Sequence, residues 1–257
     1  MKSNSSHERR YRNFLPNIGL ELKSIIFEFI LVFFAVFLGF WADRWREKIF
    51  ERERERQFMS SMYQDLKSDT SDITLNINKS KKVITGMHKV ISLMNSANRY
   101  DSALNIYHYA RSITLNSPDY EPNQRTYEQM KYSGELRLIR DKSVADSVTG
   151  YYSSLAWILT QNTYIHDRTS DYMAGAENIF DGNVFLLILE DVPDSVLLKA
   201  LPKDKFLSTE KLAFNKFFIR TQYFSGACRV TIPAAGDALR KCKNLMMVLK
   251  EKYHLKE

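Results

Sequence analysis

The sequence predicts an all-α protein: one N-terminal transmembrane helix continuing into a long juxtamembrane helix and an extramembrane helical bundle. Three observations lead there. Glycine (9) and proline (6) are scarce among 257 residues, about half the usual combined share of roughly 12%. An apolar block near the start, Ile25 to Ala42, carries a single charge, Glu28. From Met59 onward apolar residues recur at three- and four-residue steps, the period of one helix face. The two cysteines exclude a disulfide framework or a four-cysteine zinc site.

The expected divisions are a basic tail (1–24), a transmembrane helix (25–45), a charged juxtamembrane and long bundle helix (46–97), and the remainder of the bundle (98–257). The 18 residues of the apolar block rise about 27 Å as a helix, close to the roughly 30 Å hydrocarbon core. Trp41 and Trp45 suit the membrane interface. A buried soluble helix competes with this reading. Five phenylalanines in an unbroken 14-residue run make a heavy load for a core helix. A cleaved signal peptide is the other competitor, but phenylalanine stands at −3 from each small residue of Gly39-Phe40-Trp41-Ala42. An uncleaved anchor is the expectation.

Basic residues flank the block almost evenly, five on the tail and six on the far side through Arg56. Long domains cross membranes largely regardless of charge, whereas short tails obey the positive-inside rule. The expected placement is a bacterial inner membrane with the N-terminus cytoplasmic and the C-terminal domain periplasmic. Glu28 has two readings. As an intramembrane carboxylate it is a candidate ion-coupling residue. As a first-turn carboxylate it reaches the headgroups and is favoured by the helix dipole.

The run Glu51-Arg52-Glu53-Arg54-Glu55-Arg56 puts opposite charges at i,i+3 and like charges at i,i+4, so local pairing partly cancels. One acid per base argues against a nucleic-acid arm. The stripe that follows is Met59, Met62, Leu66, Ile73, Ile77, Ile84, Met87, Ile91 and Met94. Asp69 and Ser80 interrupt its heptad positions, against a strict long coiled coil. Ser68 to Asp72 is the expected break, being richer in helix caps than in helix formers.

Asn98–Asp101 reads as a turn and Asp101–Ile113 as a short helix. Pro118 and Pro122 bound a loop, and Asn123–Tyr132 forms a helix stopped at Ser133-Gly134. Asp141 is expected to cap a helix running from Lys142 to about Phe180, with Val144, Val148, Tyr152, Leu155, Leu159 and Tyr172 inward. Asp181-Gly182-Asn183 reads as a turn, and residues 184–205 are the least legible. Ser208 opens a last helical region reaching about His254, which Pro233 and Gly236 should kink or split.

Two stretches resemble bacterial single-span membrane proteins that share a domain of unknown function. The first runs from Glu28 through Phe40-Trp41-Ala42-Asp43-Arg44-Trp45 to Tyr63-Gln64-Asp65-Leu66. The second is Thr126-Tyr127-Glu128-Gln129-Met130-Lys131-Tyr132-Ser133-Gly134-Glu135-Leu136-Arg137-Leu138-Ile139, with Tyr151-Tyr152 following. It is similar to the family's Tyr-x-x-Leu-x-x-Ser-Gly-x-Leu-x-x-Ile pattern, with Met130 in the leucine position. The resemblance implies a one-span membrane protein with a helical domain and supplies no activity. Tyr127, Ser133, Gly134, Leu136 and Ile139 are read first as a helix stop with apolar plugs, and second as an interaction surface.

Catalytic and metal signatures are sparse. Glu251 and His254 have the i,i+3 spacing of a di-iron ligand pair, without the second pair and extra glutamates such a bundle needs. His166-Asp167 has no nucleophile motif beside it. Cys228 and Cys242, 14 residues apart, would sit about 21 Å apart on one straight helix, and only a sharp turn at Pro233 would let them pair. No cofactor is expected. The net charge of +7 includes +3 on the tail and is too diffuse for a nucleic-acid groove. The expected partners are the lipid bilayer and other proteins of a membrane complex, with a homo-oligomer among them. The functional expectation is a non-enzymatic scaffold or accessory subunit. The alternatives are an energy-coupling subunit using Glu28 and a ligand-sensing periplasmic domain.

Overall fold

A computed structural model of the chain describes residues 18–255. It is all-helical, with no strand among the described residues. The helices are α1 (Ile18–Met94), α2 (Ala103–Leu115), α3 (Arg125–Tyr132), α4 (Lys142–Ala176), α5 (Gly182–Leu189), α6 (Asp194–Ala200) and α7 (Lys211–Tyr253), with a 3₁₀ turn at Glu135–Leu138. The chain divides into two compact units, residues 1–54 and 55–257. α1 begins at Ile18, so the last residues assigned to the basic tail are helical. The rest of that tail lies outside the described residues.

In the first unit, α1 is bare. From Ile25 to Phe50 its large apolar side chains are exposed, and it is the one described helix long and apolar enough to cross a membrane. Aromatic rings pair along it: Phe33 stacks on Phe37 with centroids 6.4 Å apart, and Trp41 on Trp45 at 5.8 Å. Glu28 is exposed on the same helix.

The second unit is built on three long helices. Asp69 of α1 meets Tyr151 of α4, and Glu55 meets Arg140 just before α4, so these helices run parallel. Leu66 meets Cys242 and His88 meets Arg229, so α7 runs antiparallel to both. Each helix buries a 3–4–3–4 repeat. On α1 the core positions are Met59, Met62, Leu66, Asp69, Ile73, Asn76, Ser80, Val83, Met87, Val90 and Met94. On α4 they run Val144, Val148, Tyr151, Leu155, Ile158, then Ile165 and Tyr172. On α7 they run from Phe214 through Phe224, Cys228, Thr231 and Ala238 to Leu249. A mean period of 3.5 keeps one seam inward along helices that coil around one another.

This corrects four expectations. The heptad does not stop at Asp69 and Ser80; both occupy core positions, and Val83 and Val90 hold places assigned to Ile84 and Ile91. The break at Ser68–Asp72 does not occur. Thr70 Oγ1 donates to the Leu66 carbonyl (3.0 Å), Thr74 Oγ1 to that of Thr70 (2.7 Å), and Ser68 to Asp72 (3.2 Å). The capping side chains thus bond within the helix they were expected to end. On α4, Tyr151 and Ile158 take the inward places beside Tyr152, and Leu159 is only half-buried. Lastly, the split at Pro233 and Gly236 does not occur: α7 runs from Lys211 to Tyr253 because its packed face on both sides outweighs the loss of one backbone hydrogen bond.

Shorter elements close the ends. Asp181 is no turn residue but the N-cap of α5, accepting from the Asn183 and Val184 N–H groups at 2.8 and 3.3 Å. Its own N–H donates to the Tyr107 hydroxyl at 2.9 Å, and Tyr107 packs edge-on against Phe180. Asp141 caps α4 as expected. Ser208 accepts the Glu210 N–H at 3.2 Å but is not the cap it was expected to be: Glu210 holds the N-cap position and α7 begins at Lys211, two residues later than expected.

Candidate functional site

The largest concentration of buried polar chemistry lies where α1, α3, α4 and α7 meet. Asp65 and Asp69 are one helical turn apart on α1 and both are buried. One Asp65 oxygen accepts from the Thr126 N–H (3.0 Å) and from the Thr126 hydroxyl (2.5 Å). The other accepts from the Arg125 guanidinium at 3.0 Å. Thr126 lies in the first turn of α3, where backbone N–H groups lack helical partners. Asp65 therefore caps α3 from a different helix, 61 residues away. Asp69 works on the preceding loop: it accepts the Asn123 N–H at 2.8 Å and the Tyr151 hydroxyl at 2.6 Å.

A third carboxylate, Glu55, fastens the adjoining segment. Its Oε1 accepts the Arg140 N–H at 3.1 Å and the Tyr253 hydroxyl at 2.7 Å. Lys252 pairs with Asp141 at 2.9 Å. The two resemblance motifs thus converge. Asp65 and Leu66 come from the first. From the second, Thr126 is held by Asp65, Tyr127 stacks on Tyr152 with ring centroids 4.0 Å apart, and Tyr151 reaches Asp69. Cys242 of α7 donates to the Leu66 carbonyl at 3.3 Å and lies 3.5 Å from Thr70 Oγ1.

The electrostatics follow from burial. Desolvation pushes the Asp69 carboxyl above its ordinary range, opposed by the hydrogen bonds from Asn123 and Tyr151. Burial likewise raises the Tyr151 and Tyr152 phenols and both thiols, Cys228 to about 12. A thiol so placed stays protonated at neutral pH and is a poor nucleophile. Both cysteines are free and buried, in separate parts of the core along one continuous helix. Among the described residues no group of three His, Cys, Asp or Glu side chains is placed to hold a metal ion.

The expected surface residues divide. Gly134 has φ +73°, the left-handed conformation a helix stop requires, and Ser133 beside it is exposed and donates to Glu135 at 2.9 Å. Ile139 is buried, and Leu136 and Tyr127 pack against the core. The motif is therefore mostly turned inward. Sequence reasoning missed Asp65, Asp69, Glu55 and Tyr151 as a set, although Asp65 and Tyr151 stood inside the quoted motifs. Their chemistry is a clasp: carboxylates on one helix accept hydrogen bonds from the termini and loops of three others. No protein family, curated protein or solved structure matches this chain.

Proposed function

We propose that this chain is a non-enzymatic membrane-anchored scaffold or accessory subunit that works through helical protein–protein contacts. The observation that carries the reading is the apolar stretch of α1, wholly uncovered over a length that matches a hydrocarbon core. Lipid is the solvent such a surface requires. The second unit supports a binding role: its buried carboxylates hold helices together, and its thiols are protonated and enclosed. The resemblance to single-span bacterial proteins supports an inner-membrane anchor, and the short basic tail against a long C-terminal domain supports a cytoplasmic N-terminus and a periplasmic domain.

Purification in mild detergent with mass spectrometry tests the role. Stoichiometric co-purification of the same membrane proteins supports it, and catalytic turnover of a substrate by the pure chain refutes it. Protease shaving of spheroplasts tests the orientation: digestion of the bundle in intact spheroplasts is the expected outcome.

A further inference from the structure

The middle of the bundle is built differently from its two ends. The apolar seam residues of α1, α4 and α7 fall into two clusters. One takes in 59–73, 144–158 and 235–249 of the three helices, the other 83–94, 165–176 and 214–228. Between them α1 places Asn76 and Ser80 at seam positions, 2% and 0% exposed. Both polar atoms of the Asn76 amide and the Ser80 hydroxyl lack a hydrogen-bond partner among the described residues.

The register of the helices brings other polar groups to the same place. Asp69 pairs with Tyr151, 82 residues further on, and Arg220 reaches the Asp171 carbonyl. Ser80 therefore stands level with Asn162 and Thr231, and Asn76 with Ile158 and Ala235. Asn162 donates through Nδ2 to the Tyr120 carbonyl, while its Oδ1 is buried and unpartnered. Thr231 donates to the Ala227 carbonyl at 3.0 Å. Between Thr231 and Ala235 α7 carries Pro233, which has no N–H to donate along the helix.

We propose that Asn76, Ser80 and Asn162 hold internal water, and that this wet level is a joint across which the two halves of the bundle open separately. An enclosed amide left unbonded is costly, and native proteins answer it with chain partners or ordered water. Water suits this level because one molecule both donates and accepts, in about three bonds. The level offers an amide N–H₂, a hydroxyl and two amide oxygens. An ion suits it less: the oxygens repel an anion, and no charged side chain occupies these seam positions to balance a cation. Ser80 also leaves room, being smaller than the seam residues Ile73 and Val83 on either side of the pair. The joint follows from how cooperativity is carried, since segments that open together share contiguous packing. Here apolar packing on α1 is interrupted from Ile73 to Val83, and α7 lacks one backbone bond at the same point. A scaffold so built can loosen one end while the other stays folded. The inference concerns the bundle alone and stands whatever the chain binds.

Native-state hydrogen exchange of the full chain in detergent micelles, read by mass spectrometry across a low urea series, tests it. Amides within 59–73, 144–158 and 235–249 should open in one transition, and those within 83–94, 165–176 and 214–228 in another. Asn76→Val replaces the amide and its water with an apolar side chain. Protection in the weaker half should rise by about fivefold or more, as expected when a polar residue leaves a helical seam, and the two transitions should draw together. Asn76→Leu, unbranched at Cβ, makes the same prediction should valine strain the helix. In nuclear magnetic resonance of the isotope-labelled chain, the Asn76 side-chain amide should show cross-relaxation with water although it is enclosed. A single opening transition in the wild-type chain overturns the inference, as does an Asn76 amide silent to water. Protection unchanged or lowered in both variants overturns it too, since Asn76 would then have partners in the chain that an apolar residue cannot replace.

Discussion

Replacing Asp65 by alanine tests whether a side chain on one helix holds the start of another. The substitution removes the acceptor of the Thr126 N–H and hydroxyl, both enclosed, and frees the Arg125 guanidinium, whose side chain is 76% exposed. A hydrogen bond to a buried charged acceptor contributes about 1.5–3 kcal/mol, and an orphaned buried donor adds its desolvation cost. The exposed Arg125 arm contributes at most about 1 kcal/mol. The expected loss for Asp65→Ala is therefore about 3–5 kcal/mol. Asp65→Asn, which keeps an acceptor oxygen, should lose about 1–2 kcal/mol, since one neutral bond contributes roughly 1 kcal/mol. Arg125→Ala should lose under about 1 kcal/mol. Urea unfolding of the full chain in a non-denaturing detergent, followed by far-UV circular dichroism, reads all three. Limited proteolysis should also cut Asp65→Ala first within residues 116–141. If Asp65→Ala unfolds within about 0.5 kcal/mol of wild type, the range of an ordinary surface substitution, the capping argument is refuted.

Other perturbations follow from the same geometry. Asp69 has a folded-state pKa raised above its unfolded value near 3.9, so its contribution to stability is fully present below about pH 4 and is lost as pH rises through the folded value. Asp69→Asn should remove that component from a series of urea midpoints taken upward from pH 4, and an unchanged slope would contradict it. Asp141 behaves oppositely. Its carboxyl lies below the ordinary range because of the Ser143 hydroxyl and Lys252, so its contribution is present above about pH 4 and is lost as pH falls through the folded value. Asp141→Ala should flatten stability on that acid side. Gly134→Ala, at φ +73°, should cost about 1–2 kcal/mol, the strain of a left-handed non-glycine residue, read as a shift in thermal midpoint. Cys228 and Cys242 should resist a maleimide reagent in the native state and label fully in urea, with equal gel mobility in the presence and absence of reductant.

The helical class was legible because glycine and proline are rare, and the span because eighteen residues carry one charge. Helix ends marked by a local signal were legible too: Asp141 caps α4 and Gly134 stops α3, each through atoms a few residues away. The misreadings share a different cause. Asp69 in an apolar stripe reads as an interruption because its donors, Asn123 and Tyr151, lie 54 and 82 residues further along. Ser68 to Asp72 reads as a break because those residues cap helices, yet Ser68 and Thr70 bond within their own helix and Asp69 is held by distant partners. Asp181-Gly182-Asn183 has the composition of a turn, yet only the Tyr107 hydroxyl and the α5 backbone reveal it as a cap. The clasp was visible in part: Asp65 and Tyr151 stood in the quoted motifs, and what the sequence withheld was Asp69 and Glu55 as their companions and which groups touch.

The repeating core has a consequence for how such a chain can change length. Deleting one residue from α1 between Ile73 and Val83 turns everything after it by about 100°. Val83, Met87, Val90 and Met94 would swing out of the seam, and Ile84, His88, Ile91 and Asn95 would take their places. Removing seven residues keeps the seam facing inward but slides the helix about 10 Å along its neighbours, parting Asp69 from Tyr151 or His88 from Arg229. Insertions and deletions are therefore tolerable in the connections, such as residues 116–124 and 201–210, and excluded from the long helices unless α1, α4 and α7 lose or gain whole heptads together. Among related chains, length should vary in loops, and in the three long helices only by matched steps of seven.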